Sequence, residues 1–330
     1  MLIKKAMLQM LTVAAVAAVL AVVLQTAGAQ NENTNATAGA TAKTAKATDA
    51  NAAASDAPNV AKSLRAAADA LGMVRWSDIG AGNVHLPAID VINTIEFRGS
   101  GTTYASGQSD KMGNPGLPFK TEYHVALAYN PPAMRVEMTR TNPDGTNQGG
   151  GPQHSIQVVR EKYAWNESEI GAGLVPGKGT ATPAMAAVNE RLLQLWILPY
   201  GVVKAALAAG DKTKISVENG ATVITFPLMG QLGEVTVKAT LDAKNFVSKV
   251  ETQTDNSALR NMVTETEYSD YADHGEILTD VQSPGHIVQK QGGHPVLDIQ
   301  LKMVDANNPF LIFPVPDAVK KASAQERPPR

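Results

Sequence analysis

"TPAMAAVNERLLQLWILPYGVVKAALAAG", residues 182–210, is the stretch on which the fold turns. Met185, Val188, Leu192, Leu195 and Trp196 recur at helical spacing as one apolar stripe, with Thr182 as the expected N-cap and Pro183 at the first helical position. Pro199 and Gly201 interrupt the run, so the pattern predicts a second short helix ending at Gly210. Leu192, Leu193, Leu195, Trp196, Ile197 and Leu198 exceed a single stripe. A helix apolar on more than one side is either wrapped by protein or turned toward an apolar cavity. Trp196 alone offers about 200 Å², roughly 5 kcal/mol gross at 25 cal/mol per Å².

On both sides of this interval the apolar period changes from that of a helix to that of a strand. "VINTIEFRGSGTTYA" (91–105) sets Ile92, Thr94 and Glu96 against Asn93, Ile95 and Phe97, and "KTEYHVALAYNPPAMRVEMTRTN" (120–142) places two alternating runs around Asn130-Pro131-Pro132. "HSIQVVREKYAWN" (154–166) continues the series after the loop "NPDGTNQGGGP" (142–152). Beyond the helices, "KISVENGATVITFPL" (214–228) carries Asn219-Gly220 as a two-residue turn, and "EVTVKATLDAKNFVSKVETQTD" (234–255) turns near Asp242 to Asn245. Hairpins this tight make antiparallel neighbours. Ahead of them, "NVAKSLRAAADALG" (59–72) places Val60, Leu64, Ala67 and Leu71 on one helical face and Gly72 at its stop.

The chain of 330 residues is 44% hydrophobic, enough for a substantial core, with a formal net charge of −2 and no cysteine. Disulfides and lipidation of a cysteine are therefore excluded, and the mild acidic balance without basic clusters argues against a nucleic-acid partner. Lys4 and Lys5, the apolar run Met7 to Leu24 and Ala27-Gly28-Ala29 fit a secretory signal cut after Ala29. The competing reading is a retained anchor, for which 18 residues span roughly 27 Å, just short of a bilayer core. Residues 30–58 mix Ala, Thr, Asn and Asp with almost no large apolar side chain and read as a disordered tether. The expectation is an exported protein, periplasmic or secreted, that meets the membrane only transiently through its signal peptide. One α+β domain is expected over 59–318, a strongly curved antiparallel β-sheet (an incomplete barrel) wrapped around a central helical segment, followed by a flexible tail, 319–330.

Reactive motifs are scarce. In "HIVQKQGGHPVLDIQL" (286–301), a turn at Gly292-Gly293 places His286 opposite Ile299 and on the face of Leu297, Ile299 and Leu301, with His294 on the other face. The rings then point apart, about 17 Å from each other along the strand, too far to share one ion. His85, His124, His154 and His274 show neither H-E-x-x-H nor H-x-H spacing. "GAGLVPGKGT" (171–180) lacks the glycine and the Ser/Thr of a phosphate loop and reads as a flexible linker, and no Gly-x-Ser-x-Gly elbow occurs. No catalytic, cofactor or metal residue is assigned, although residues distant in sequence can still converge.

The run "TETEYSDYADHGEILTDVQSPGHIVQKQGGHPVLDIQLKMVDANNPFLIFPVPDAV" (264–319), with its tyrosine pair, hairpin and closing segment Phe310 to Pro316, resembles the C-terminal part of the outer-membrane lipoprotein carrier (Lol-like) fold. "MRVEMTRTN" (134–142), "ERLLQLWILPYGVVKAALA" (190–208), "EYSDY" (267–271) and "IVQKQGGHPVLD" (287–298) are similar to the non-catalytic N-terminal region that precedes the metallo-β-lactamase domain of many secreted bacterial hydrolases. The likeness spans roughly residues 60 to 318, although "ILTDVQSPGHI" (277–287) replaces the usual Phe-Pro before the hairpin, and the zinc motif His-x-His-x-Asp-His does not occur. The resemblance implies a non-enzymatic module with an apolar groove for a lipid-like or other hydrophobic molecule. The candidate lining is Leu192, Leu195, Trp196, Leu198 and Val202, with Trp165 and Tyr200 at the mouth. Three alternatives stay open: these residues simply fill a solid core; the chain is an accessory of a separately encoded hydrolase, or a shortened relative that lost catalysis; or it is an enzyme with an unrecognised site.

Overall fold

The structure is a computed structural model, which describes residues 59–74, 76–77, 84–85, 92–105, 116–147, 152–254, 263–273 and 281–325. The expected signal peptide and the tether, 30–58, lie outside the described residues, as does His274.

Helix α1, Val60–Ala70, starts where Asn59 accepts hydrogen bonds from the amides of Ala61 and Lys62, and buries Leu64, Ala67 and Ala68. One large sheet follows, of thirteen strands: β1 Thr94–Ala105, β2 Leu117–Tyr129, β3 Pro132–Thr141, β4 Gln153–Arg160, β5 Tyr163–Glu167 and β6 Ala181–Pro183, then β7 Lys214–Glu218, β8 Ala221–Pro227, β9 Val235–Leu241, β10 Val247–Thr254, β11 Thr264–Ser269, β12 His286–Gln291 and β13 His294–Ala306. Their spatial order is β6-β5-β4-β3-β2-β1-β13-β12-β11-β10-β9-β8-β7, with every pairing antiparallel. The chain enters at the middle, meanders to one edge, crosses to the other edge through helices α2 (Val188–Trp196) and α3 (Pro199–Ala209), and meanders back until β13 pairs with β1. The protein is thus α+β, built on an antiparallel sheet whose edges β6 and β7 do not pair. Two short ladders, Trp76–Ser77 with Val84–His85 and Ala272–Asp273 with Gln282–Ser283, stand apart from it.

Turn chemistry sets the local registers. Asn219 (φ 51°) and Gly220 (φ 81°) both take left-handed conformations, which lets Glu218 pair with Ala221. Asp242 accepts from the amides of Lys244 and Phe246, with Asn245 at φ 67°.

One face of the sheet packs on the helices. Ile95, Phe97, Val125, Leu127, Met134 and Val136 from the first meander join Ile224, Phe226, Val237, Ala239, Val250 and Ile287 from the second in a single core with Leu192, Leu195, Val202 and Val203. A smaller cluster lies on the opposite, outer face, where Ala126, Ala133, Ile156, Val158 and Trp165 meet Phe313 and Val319. Elsewhere the outer face carries ion pairs, Lys249 to Glu251 along β10 and to Glu265 on β11, and Lys290 of β12 to Glu265 and Glu267 of β11.

Several expectations need correction. Thr182 and Pro183 do not open a helix: they lie in edge strand β6, and a 3₁₀ turn over Met185–Ala187 leads into α2, since pairing with β5 satisfies backbone that a cap would otherwise have to serve. The expected tail from 319 is helical as far as Gln325, in α4 Asp317–Gln325, because burying Val319 under the outer cluster ties it down. Residues 171–180 are not a loose linker, for Gly173 donates to the Lys178 carbonyl and Ser168 to that of Thr180. Finally, Ile287 rather than His286 stands opposite Ile299, because a bulge between Gln289 and Lys290 inserts one extra residue in β13. His286 therefore moves to the outer face, where its Nε2 meets Asp298 Oδ1 at 2.7 Å.

Candidate functional site

The site is built at the break between α2 and α3. Helix α2 ends at Trp196, Pro199 begins α3, and the two axes differ by 99°. Among the described residues no single helix is long and apolar enough to cross a membrane, although this bent pair passes by length and composition. Gly201 is demanded by the bend, since a Cβ there would sit 2.6 Å from the Leu195 carbonyl oxygen.

Tyrosines hold this elbow against the sheet. Tyr268 of β11 donates to the Ile197 carbonyl at 2.9 Å, capping a C-terminal oxygen of α2. Tyr200, at the start of α3, donates to the Gln282 carbonyl at 2.6 Å and shares a hydrogen bond with the Ser283 hydroxyl. Burial drives the Tyr200 and Tyr268 phenols well above the ordinary range, against smaller opposing pulls from Ser283 and Thr266 respectively. Both therefore act as neutral donors near pH 7, not as bases or nucleophiles.

Beside the elbow lies a small, partly open cleft of about 20 Å³. Leu198, Pro199 and Tyr200 form one wall; Ile95 and Phe97 of β1, Ile287 of β12 and Leu301 and Val304 of β13 form the other, with Ser283 and Pro284 between. The lining is almost wholly apolar. It has no charged side chain, so it offers shape and burial rather than acid–base chemistry.

The structure separates the seven expected lining residues into three groups. Leu198 and Tyr200 line the cleft. Leu192, Leu195 and Val202 are buried in the main core, and the partly buried Trp196 packs on it, its ring 5.8 Å from that of Tyr129. Trp165 does not stand at the mouth: only 1% exposed, it lies on the outer face, its indole N–H donating to Glu167 at 2.8 Å. Period-2 alternation puts Trp165 on the face opposite Ala164, and it is Ala164 that meets the helices.

Sequence spacing also missed a polar ladder on the outer face. Glu96, His124, Glu137 and His154 come from β1, β2, β3 and β4 in turn, with His124 Nε2 2.7 Å from Glu96, His124 Nδ1 3.2 Å from Glu137, and His154 Nε2 2.9 Å from the other Glu137 oxygen. Burial raises the pKa of each carboxyl, but imidazole hydrogen bonds, and Arg98 at Glu96, outweigh it and leave both below the ordinary value. Among the described residues, no group of three or more His, Asp or Glu side chains is placed to hold a metal ion. Only strand register brings these four together, and sequence separation gives no hint of it.

No protein-family model matches this chain, and no curated protein matches it.

Proposed function

We propose that this chain is an exported, non-enzymatic module that takes up a lipid-like or other hydrophobic molecule between the helix elbow and the middle of its sheet. The observation that carries the reading is the apolar cleft at Leu198, Pro199 and Tyr200, opposite Phe97, Ile287 and Leu301.

The incomplete-barrel curvature belongs to the same proposal. On a flat sheet β4 and β9 would stand about 38 Å apart, eight spacings of about 4.8 Å. Yet Gln231, in the turn before β9, donates to the carbonyl of Glu161, in the turn after β4, at 3.4 Å. That link supports a sheet bent around the helices. The N-terminal charged and apolar segment supports export to the periplasm or beyond.

The test is displacement of Nile red by dodecanol, read by fluorescence, on wild type and Leu301→Trp, together with native mass spectrometry of protein purified from its own host. Saturable uptake, weakened at least about tenfold by the tryptophan, is expected, since filling the cleft removes its burial. A wild-type protein that takes up neither probe would overturn the reading.

A further inference from the structure

The two edges of the large sheet are finished differently. Strand β6 is three residues long, ends in Pro183, and is flanked by α4, whose Val319 packs with Ala181 in the outer cluster. Strand β7, Lys214–Glu218, is five residues long, contains no proline and pairs with β8 in unbroken register. Helix α1 approaches it, yet Lys214, Ser216, Val217 and Glu218 all stay exposed. Ile215 packs on the main core, and alternation puts Val217 on the same face, where its side chain is 61% exposed. A large β-branched side chain in water on an unpaired edge is what a further strand would cover.

The turn fixes which backbone groups are free. Glu218 and Ala221 flank the two-residue turn and form a hydrogen-bonded pair, so Lys214, Ser216 and Glu218 direct their backbone groups at β8. Ile215 and Val217 direct theirs outward, each with one N–H and one C=O. A second copy laid antiparallel about a two-fold axis at Ser216 sets Ile215 opposite Val217 of that copy, and every outward group then finds a partner. The same register sets Lys214 opposite Glu218 on the outer face, at both ends of the join. An edge lysine ordinarily repels an incoming strand, but here it meets a carboxylate. Glu218 already holds Lys238 at 2.7 Å, and a carboxylate accepts more than one donor. Moving the axis to Ile215 sets Lys214 opposite Ser216, and moving it to Val217 does the same to Glu218. Charge matching therefore selects one register.

We propose that β7 is a self-complementary dimerisation edge, through which a second copy of this chain joins antiparallel about Ser216 and the two large sheets become one. Main-chain hydrogen bonds supply the contact, and the Lys214–Glu218 pairs set its register. The inference is independent of the cleft. A join this short buries little beyond the strands themselves, so the dimer is expected to depend on concentration rather than to be permanent.

The experiment is sedimentation velocity of the full chain at low salt, over a dilution series reaching about 1 mM, on wild type, Lys214→Glu, Glu218→Lys, an equal mixture of those two variants, and Val217→Pro. Wild type is expected to pass from monomer to dimer as concentration rises. Each charge reversal sets like charges opposite each other and should weaken association by about tenfold or more. The mixture should recover it, because each reversed side chain then meets its opposite. Val217→Pro removes an outward N–H without touching the β7–β8 ladder, and should stay monomeric with an unchanged circular dichroism spectrum. Wild type that remains monomeric throughout overturns the second copy as the occupant of this edge. Reversals that associate as wild type does, or a mixture no tighter than either variant alone, overturn the register. Should Val217→Pro fail to fold, the two reversals and their mixture decide the matter.

Discussion

The phenol of Tyr268 on β11 donates to the carbonyl oxygen of Ile197, 71 residues earlier, at 2.9 Å. One hydrogen bond thus links the second meander to the C-terminus of the first crossing helix. Tyr268→Phe keeps the ring and leaves a buried carbonyl unpaired, which costs about 1–3 kcal/mol. Urea denaturation monitored by circular dichroism should show that loss with an unchanged slope. A midpoint equal to wild type would mean that the elbow does not depend on this bond.

The outer-face ladder makes stability depend on acidity. Glu96 and Glu137 have carboxyl pKa values lowered from 4.5 in the folded chain. A depressed carboxyl contributes stability that is fully present above its unfolded value and lost as pH falls through the folded one. Glu137→Gln should therefore cost about 1–3 kcal/mol at pH 6 and less at pH 3, where wild type has begun to lose the same interaction. Guanidinium titrations at the two pH values check this. An equal penalty at both would remove charge from the explanation.

Trp165 tests which face binds. Trp165→Ala empties the outer cluster and should cost about 3–5 kcal/mol. At a temperature where the variant remains folded, its affinity for dodecanol should match that of wild type, because the indole lies across the sheet from the cleft. A large loss of affinity in folded variant would move the site toward the outer face.

Gly101 on β1 tests the join between the two meanders. A Cβ there would clash with the Asp298 carbonyl oxygen on β13, which is backbone and has little room to retreat. Gly101→Ala is expected to cost at least about 1–3 kcal/mol, the usual range for overpacking. A thermal midpoint within error of wild type would show that β13 shifts freely at the join.

Much of the architecture is local and so is legible in the sequence. Alternation in residues 91–142, Asn219-Gly220 and Asp242–Asn245 specify strands and turns through φ/ψ preference and period alone, and the structure has β1 to β3 and the β7–β8 and β9–β10 hairpins where those residues place them. The stripe from Val188 to Trp196 and the break at Pro199 likewise specify a broken helix. What lies across the sheet is not local. A single inserted residue in β13 sends His286 to the outer face, because a period of two inverts on a shift of one. Trp165 lands under Phe313, and Glu96, His124, Glu137 and His154 line up in one ladder, only because separate strands pair in one register. Composition and turn chemistry therefore determined the kind of fold. The tertiary pairing decided which side chains face the helices, since burial is a property of a face and a face exists only once its neighbours are in place.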